Sequence, residues 1–251
     1  MVGNGMAGVR TLEELLKIAP DRYDITVFGA EPHPNYNRIL LSPVLAGEQQ
    51  LSQIVLNDWS WYREHGIRLH AGCTVTAVDR RRRLVRGMTA AGQAVEAGYD
   101  RLIVATGSTP FMLPIPGKDL AGVLAYRDIA DTEAMIAAAA KYQHAVVIGG
   151  GLLGLEAANG LMKRGMQVTV VHAAEWLMER QLDRVAGQML QKALNERGMQ
   201  FLMQAQTQEL LGHAAGRDGE AGLPSAGRVR AVKFKDGSEV PADLVVMAVG
   251  I

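Results

Sequence analysis

Two groups of glycines carry the chemistry that this chain states most directly. Gly149, Gly151 and Gly154 lie in the run Val146-Val147-Ile148-Gly149-Gly150-Gly151-Leu152-Leu153-Gly154-Leu155-Glu156. Gly3, Gly5 and Gly8 lie in Gly3-Asn4-Gly5-Met6-Ala7-Gly8. Where such a G-x-G-x-x-G joins a strand to a helix, the first glycine permits a tight turn. The second lets a pyrophosphate approach the backbone, and the third lets the helix pack closely on the strand. The helix start then offers unpaired N–H groups and the positive end of its dipole to the phosphates. The spacing alone also occurs in purely structural turns, so the flanks decide. Around Gly149 they are a β-branched run, an alanine-rich helix from Glu156 to Arg164 and a strand from Gln167 to Val171, which together mark a dinucleotide site. Before Gly3 stands only Met1-Val2: the first strand is either incomplete in this sequence or very short.

Few other residues have types and spacings that do chemistry. Glu31 follows Gly3 by 28 residues, near where an acidic residue accepts a ribose hydroxyl; a solvated loop glutamate is the competing reading. Arg38, in Pro34-Asn35-Tyr36-Asn37-Arg38-Ile39-Leu40-Leu41-Ser42, has the type for a phosphate partner, or for an ordinary surface arginine. Cys73 is the single cysteine, so the chain has no intrachain disulfide and no redox dithiol, and it reads as a buried small hydrophobe. The six histidines show no ligand spacing, so no metal site is expected. Arg80-Arg81-Arg82-Arg83 reads as a solvated turn between two strands.

The elements that must position these residues follow from periodicity. The chain has 251 residues, 48% of them hydrophobic, enough for two α/β domains with packed cores. Lysine plus arginine equal aspartate plus glutamate at 26 each, which speaks against a nucleic-acid or membrane surface. Neither a signal peptide nor a membrane span is evident, and a cytoplasmic setting is expected. Ala7 to Ala19 carries Val9, Leu12, Leu15 and Leu16 on one helical face, and Pro20 stops it. Asp24 to Phe28 alternates as a strand, Pro32 to Gly47 reads as a loop, and Asp58 to His65 as a helix. From Ile67 to Val95 the period is two, giving short meander strands. Arg101 to Ser108 is an apolar strand ending in a small-residue turn, and Pro110, Pro114, Pro116 and Gly117 mark a linker. After the second fingerprint come a helix from Leu182 to Arg197 and further short strands. His213 to Gly227 reads as a hairpin tip, and Ala242 to Gly250 closes the plan.

The two halves repeat one another. Each has a glycine fingerprint, a helix, a strand, a meander and a closing apolar strand, ending in Ala105-Thr106-Gly107 and in Ala248-Val249-Gly250. From Gly3 to Ala105 is 102 residues, and from Gly149 to Ala248 is 99. The expected fold is therefore α/β, with two tandem Rossmann-like three-layer ββα/βαβ dinucleotide-binding domains at residues 1–113 and 114–251. Each carries a small β-meander. Two such folds in tandem suggest a flavin and a nicotinamide, since a flavin needs a hydride source.

In the segments GNGMAGVRTLEELL, ITVFGAEPHPNYNRILLSPVLAGE, YDRLIVATGSTPFMLPIPG, HAVVIGGGLLGLEAANGL, LMERQLD and ADLVVMAVGI the chain resembles the pyridine nucleotide-disulfide oxidoreductase superfamily. Within it, NYNRILLSPVLAGE and LMERQLD resemble the N-terminal flavoprotein part of the NAD(P)H nitrite reductase large subunits. The resemblance implies FAD on Gly3, Asn4, Gly5, Met6, Ala7, Gly8 and Glu31, with Arg38 and Ser42 in a flavin segment. It further implies Val75 at the adenine, Ala105, Thr106 and Gly107 along the flavin chain, and Arg127 in the following linker. NAD(P)H would occupy Gly149, Gly151, Leu152, Leu153 and Gly154, with His172 and Gly250 nearby. Glu156 would stand near the nicotinamide end, or only stabilise the first turn of its helix.

The sequence departs from that family in three ways. His172 stands where NAD enzymes of this type carry an acidic residue for the ribose diol, and the nearest arginine for a 2′-phosphate is Arg180; NADH is favoured over NADPH. No dithiol exists, so the disulfide-reductase branch is excluded and electrons must leave for another acceptor. The later Gly-Asp flavin motif and the cysteines for an iron–sulfur cluster and sirohaem are not in this sequence and are expected downstream. The reading is an electron-entry module delivering hydride equivalents from NAD(P)H through FAD towards nitrite reduction to ammonia, with no catalytic acid or base. The small subunit of nitrite reductase or another redox protein would be its partner, and an oligomer is compatible. Two alternatives stand beside it: a stand-alone NADH:rubredoxin or ferredoxin reductase, and a non-catalytic nucleotide-binding fragment.

Overall fold

The computed structural model describes residues 1–213 and 227–250. Most of the expected hairpin tip, residues 214–226, lies outside the described residues, as does Ile251. The elements run α1 (Met6–Ile18), β1 (Thr26–Gly29), β2 (Asn35–Tyr36), α2 (Leu41–Leu45), β3 (Val55–Asn57), α3 (Trp59–Glu64), β4 (Arg68–Ala71), β5 (Cys73–Asp79), β6 (Leu84–Thr89) and β7 (Ala94–Gly98). They continue with β8 (Val123–Ala125), α4 (Ile129–Ala139), β9 (His144–Ile148), α5 (Leu152–Lys163), β10 (Gln167–His172), α6 (Arg184–Glu196), β11 (Gln200–Met203), β12 (Thr207–Gly212), β13 (Val229–Phe234), β14 (Glu239–Pro241) and β15 (Leu244–Met247). The chain divides into two compact units. Unit 1 is Met1–Ile39 with Leu51–Ser108; unit 2 is Leu40–Gln50 with the chain from Thr109 on. The division is therefore not a single cut in the sequence.

In unit 1, β1 pairs in parallel with β4, and Val2 bridges in parallel to both Phe28 and Val104. The order across this small sheet is β4, β1, Val2, Val104. Neighbouring side chains on a strand point to opposite faces, and Val27 and Phe28 use that alternation to build two cores. Val27 joins Leu12, Tyr62 and Ile67 on the helical side. Phe28 joins Val2, Cys73 and Val85 on the side of the antiparallel meander β5-β6-β7. On its outer face α1 is laced by Arg10 with Glu13 and Glu14, and by Lys17 with Glu14. The four-arginine run is the solvated turn between β5 and β6. There Asp79 accepts from the backbone N–H groups of Arg81 and Arg82, and Arg83 takes φ 53°. Cys73 is buried, which pushes its thiol up from the ordinary value.

Unit 2 repeats the plan at fuller size. Its parallel sheet runs β11-β10-β9-β15-β8, and β12-β13-β14 form the antiparallel meander. Val146, Ile148, Val171, Val245 and Met247 pack against Leu210, Val229, Val232 and Phe234 of the meander. By alternation Val147 and Val170 face the other way, where α5 packs with Ala157, Ala158 and Leu161 fully buried. The helices start where capping chemistry permits. Asp128 and Asp131 make a reciprocal capping box on α4, and Asp183 accepts from Ala186 N–H at 2.8 Å at the head of α6; such a cap contributes about 1 kcal/mol.

Two sequence expectations are corrected. Arg101 to Ser108, expected as a strand ending in a turn, is reduced to the single bridge at Val104, a residue 65% exposed. Val2 is its only strand neighbour among the described residues, so the ladder cannot lengthen. Pro32 to Gly47, expected as a loop, contains β2, a 3₁₀ turn at Arg38–Leu40 and α2. Its apolar pattern of Leu41, Val44 and Leu45 spans barely one turn, too short for a periodic signal, and Pro43 fits because a first helical turn needs no donor there. α2 packs within unit 2: a Cβ on Gly160 would lie 2.6 Å from Leu45 Cγ, and Arg164 Nη2 donates to Val44 O at 3.0 Å.

Candidate dinucleotide sites

The two glycine turns are built alike at their first glycines. Gly149 has φ 125°, its N–H donates to Val171 O at 2.8 Å, and a Cβ there would lie 2.2 Å from Ala248 O. Gly3 has φ 106°, its N–H donates to Phe28 O at 2.8 Å, and a Cβ would lie 2.0 Å from Ala105 O. No side chain fits at either point. The third glycines hold helix to turn: a Cβ on Gly154 would be 2.0 Å from Gly149 O, and one on Gly8 would be 3.1 Å from Gly3 O. The middle glycines differ from both. A Cβ on Gly151 or on Gly5 would meet nothing within 4 Å. These two are the N-caps of α5 and α1, neither has a side-chain cap, and neither helix carries an acid in its first turn. An open concavity lined by uncapped N–H groups fits a pyrophosphate. Leu152 and Leu153 flank one of them with exposed apolar side chains; Met6 and Ala7 open α1 in the other.

In unit 1 the structure gathers Glu31, Tyr36 and Arg38. Glu31 accepts from Tyr36 OH at 2.7 Å and pairs with the Arg38 guanidinium, which also lies 5.3 Å from the centre of the Tyr36 ring. Glu31 is thus a positioned carboxylate, held by two partners with its side chain 30% exposed. Asn4, the variable residue of the first fingerprint, is locked in place. Its Oδ1 accepts from Tyr62 OH at 2.7 Å, its Nδ2 donates to His33 O at 3.3 Å, and its backbone O accepts from Asn35 Nδ2 at 3.0 Å. Tyr62 is fully buried, and that burial pushes its phenol up to about 12. Val75 sits in β5 opposite Gly87, beside an irregularity in the ladder. Ala105 N–H donates to Val2 O at 2.7 Å, and Gly107 turns with φ 74°.

Ser42 lies on α2. It belongs to unit 2, where its hydroxyl donates to Glu156 Oε2 at 2.7 Å and accepts from Tyr126 OH at 3.1 Å. Glu156 lies in the second turn of α5, so it is held by Ser42 and does not serve the first turn. Tyr126 is buried, which pushes its phenol up to about 12. Arg127 N–H donates to Asp131 Oδ2 at 2.7 Å just before α4. Gly250 has φ 140°, and its O accepts from Phe111 N–H at 2.9 Å.

His172 ends β10 with its ring buried. Its Nδ1 accepts from Gly150 N–H at 3.1 Å, and its Nε2 lies 3.0 Å from Glu179 Oε2 and 3.1 Å from Trp176 O. Tyr62, Asn35, Tyr126 and Glu179 were not legible as site residues. Tyr62 and Tyr126 lie outside every motif, Asn35 and Glu179 lie inside NYNRILLSPVLAGE and LMERQLD without a partner evident there, and their partners Asn4, Ser42 and His172 are brought to them only by the fold. Among the described residues no group of acids, histidines and cysteines is arranged to hold a metal, and no helix is long and apolar enough to cross a membrane.

A family model described as pyridine nucleotide-disulphide oxidoreductase matches residues 1–251. The chain is 54% identical over its whole length to the nitrite reductase [NAD(P)H] of Bacillus subtilis strain 168, covering 29% of that protein. It is 46% identical to the assimilatory nitrate reductase electron transfer subunit of the same organism, covering all of this chain and 30% of that one. The chain thus spans under a third of the length of these relatives. Among solved structures, a NAD-dependent persulfide reductase from A. fulgidus aligns with a TM-score of 0.87 at 25% identity, over 99% of this chain and 45% of that one.

Proposed function

We propose the following function for this chain, which belongs to the pyridine nucleotide-disulphide oxidoreductase family. The family binds FAD and NAD(P)H, and here each glycine turn takes one dinucleotide. Unit 1 holds FAD through Gly3, Gly5 and Gly8 at the pyrophosphate, Glu31 with Arg38 near the adenosine end, and Ala105 to Gly107 along the chain. Unit 2 holds the nicotinamide dinucleotide through Gly149, Gly151 and Gly154. The chain serves as the electron-entry part of a longer cytoplasmic protein that reduces nitrite to ammonia. The iron–sulfur and sirohaem centres belong to the remainder of that protein, and a small subunit or another redox protein is its partner.

One observation carries the reading: two turns of like construction, each with one open glycine at an uncapped helix start. A bound flavin supplies an acceptor that takes two electrons from a nicotinamide and passes them on singly. The protein's own part is to hold and orient. Hydride transfer needs alignment and exclusion of water more than a proton donor, so no acid or base is assigned. The Tyr126–Ser42–Glu156 chain keeps one carboxylate fixed on α5 in unit 2. The two curated relatives, a nitrite reductase and an electron transfer subunit, support the entry role. The test is anaerobic rapid mixing of the FAD-loaded chain with NADH, following the oxidised flavin absorbance. Bleaching is expected; flavin that stays oxidised at saturating NADH refutes the reading.

A further inference from the structure

The strand end at His172 is part of a larger arrangement. Gly150 N–H donates to His172 Nδ1, so that nitrogen is an acceptor and the neutral ring carries its proton on Nε2. Nε2–H in turn points at Glu179 Oε2 and Trp176 O, 3.0 and 3.1 Å away. With both nitrogens engaged, the imidazole cannot receive a pair of sugar hydroxyls. Glu179 can. One oxygen is held by His172, the other has no partner among the described residues, and the side chain is 36% exposed. The residue before it is fixed as well: Met178 adopts φ 53°, and its N–H donates to Gly150 O at 3.0 Å. Gly150 is thereby bonded on both sides, through its N–H to the histidine and through its O to the Glu179 loop. A Cβ on Gly150 would lie 2.7 Å from His172 Cγ and 2.8 Å from Leu177 Cδ2, so the extra glycine between Gly149 and Gly151 is what admits the ring.

We propose that Glu179 is the carboxylate that receives the adenosine ribose hydroxyls of the bound nicotinamide dinucleotide, with His172 as its positioning residue. The proposal rests on unit 2 being the nicotinamide dinucleotide site. In dinucleotide folds an acid beyond the second strand takes the ribose diol. Here the strand end has given that place to a histidine, and the acid comes from the following loop, seven residues on. A carboxylate with one open oxygen accepts hydroxyl donors, and it repels the two negative charges of a 2′-phosphate. Glu179 therefore selects NADH over NADPH, with the exposed Arg180 beside it as the group that would serve the opposite choice.

The test measures binding of NADH and of NADPH to the full chain by calorimetry, without flavin and without turnover. The wild type is expected to bind NADH more tightly. Glu179→Gln, isosteric and partly exposed, weakens NADH about tenfold, the equivalent of ~1.4 kcal/mol, and leaves NADPH unweakened, so the preference collapses. His172→Gln lowers the same ratio, and adds no further change to it in the Glu179→Gln background. A purely structural role for His172 would weaken both cofactors alike and leave the ratio where it was. NADH binding with the ratio untouched by Glu179→Gln overturns the Glu179 assignment alone. A wild-type preference for NADPH that Arg180→Ala removes overturns it in favour of a phosphate subsite. A wild type that binds neither dinucleotide overturns the reading of unit 2 itself.

Discussion

Gly149→Ala and Gly151→Ala should separate folding from binding within one turn, two residues apart. At Gly149 the backbone is left-handed, φ 125°, and a Cβ would stand 2.2 Å from Ala248 O and 2.7 Å from its carbonyl carbon. A disfavoured φ costs on the order of 1–3 kcal/mol, and forcing a carbon into packed backbone costs a similar amount. The sum is about 4 kcal/mol, a fall in Tm of roughly 8–16 °C at 2–4 °C per kcal/mol for a chain of this size. At Gly151 the backbone is extended, φ −81° and ψ 178°, and a Cβ meets nothing within 4 Å. Alanine adopts that conformation without strain. Its poorer N-capping is offset by the reduced freedom of the unfolded chain, each about 0.5–1 kcal/mol. Stability should therefore stay within about 1 kcal/mol of wild type, while the methyl group occupies the space a pyrophosphate needs. Thermal unfolding and calorimetric NADH binding, run side by side, check this: Gly151→Ala is expected to keep its Tm and to lose at least about tenfold in NADH affinity, ~1.4 kcal/mol. If Gly151→Ala binds NADH as the wild type does, or unfolds as early as Gly149→Ala, the division of labour argued for the three glycines is wrong.

Ser42→Ala removes both the donor to Glu156 and the acceptor of the buried Tyr126 hydroxyl. It should cost about 1–3 kcal/mol in urea unfolding, and Tyr126→Phe should recover part of that loss because the orphaned hydroxyl goes with it. Burial holds the phenols of Tyr62 and Tyr126 near 12 against an ordinary value of 10.0. The neutral form is the one favoured in the fold, so the stabilisation is complete below pH 10 and is lost as pH rises towards 12. Phenolate absorbance should show two tyrosines ionising late, together with falling resistance to urea in that window; two ordinary titrations near pH 10 would contradict the packing.

What could be read from the sequence was what local sterics dictate. The glycine triplets were legible because a Cβ at Gly3 or Gly149 collides with the neighbouring strand end whatever else the protein does. The meanders were legible because period-two runs such as Leu84–Thr89 turn one face inward, with Val85 and Gly87 buried between exposed Arg86 and Met88. Contacts made over long separations were not. Ser42 and Glu156 are 114 residues apart, and nothing near Ser42 announces that α2 packs with Leu45 against Gly160. The apolar run before Ala105 reads as a strand on composition, yet a strand is defined by its neighbours, and among the described residues Val104 has only Val2. Glu179, the acid proposed for the ribose, is hidden for a related reason: it stands seven residues past the strand end, where the sequence has His172.

Comparing the two turns explains that displacement. Phe28 accepts from Gly3 N–H as Val171 accepts from Gly149 N–H, so Gly29 and His172 occupy equivalent places at their strand ends. Facing them are the variable fingerprint residues, Asn4 and Gly150. In unit 1 the large residue is in the turn and the small one on the strand; a Cβ on Gly29 would lie 2.9 Å from Asn4 Cβ. In unit 2 the sizes are exchanged, and a Cβ on Gly150 would lie 2.7 Å from His172 Cγ. One space is filled once in each unit, from opposite sides. The exchange makes a quantitative expectation for the second turn. Gly150 is not left-handed, so Gly150→Ala is opposed chiefly by His172 and by the flexible end of Leu177, a cost of about 1–3 kcal/mol. Truncating the ring in a His172→Ala background removes the nearer obstacle. The two substitutions should therefore be less destabilising together than the sum of their separate effects, by on the order of 1 kcal/mol in a double-mutant cycle. Strict additivity would mean that the turn and the strand end do not share that space, and that the glycine between Gly149 and Gly151 is there for another reason.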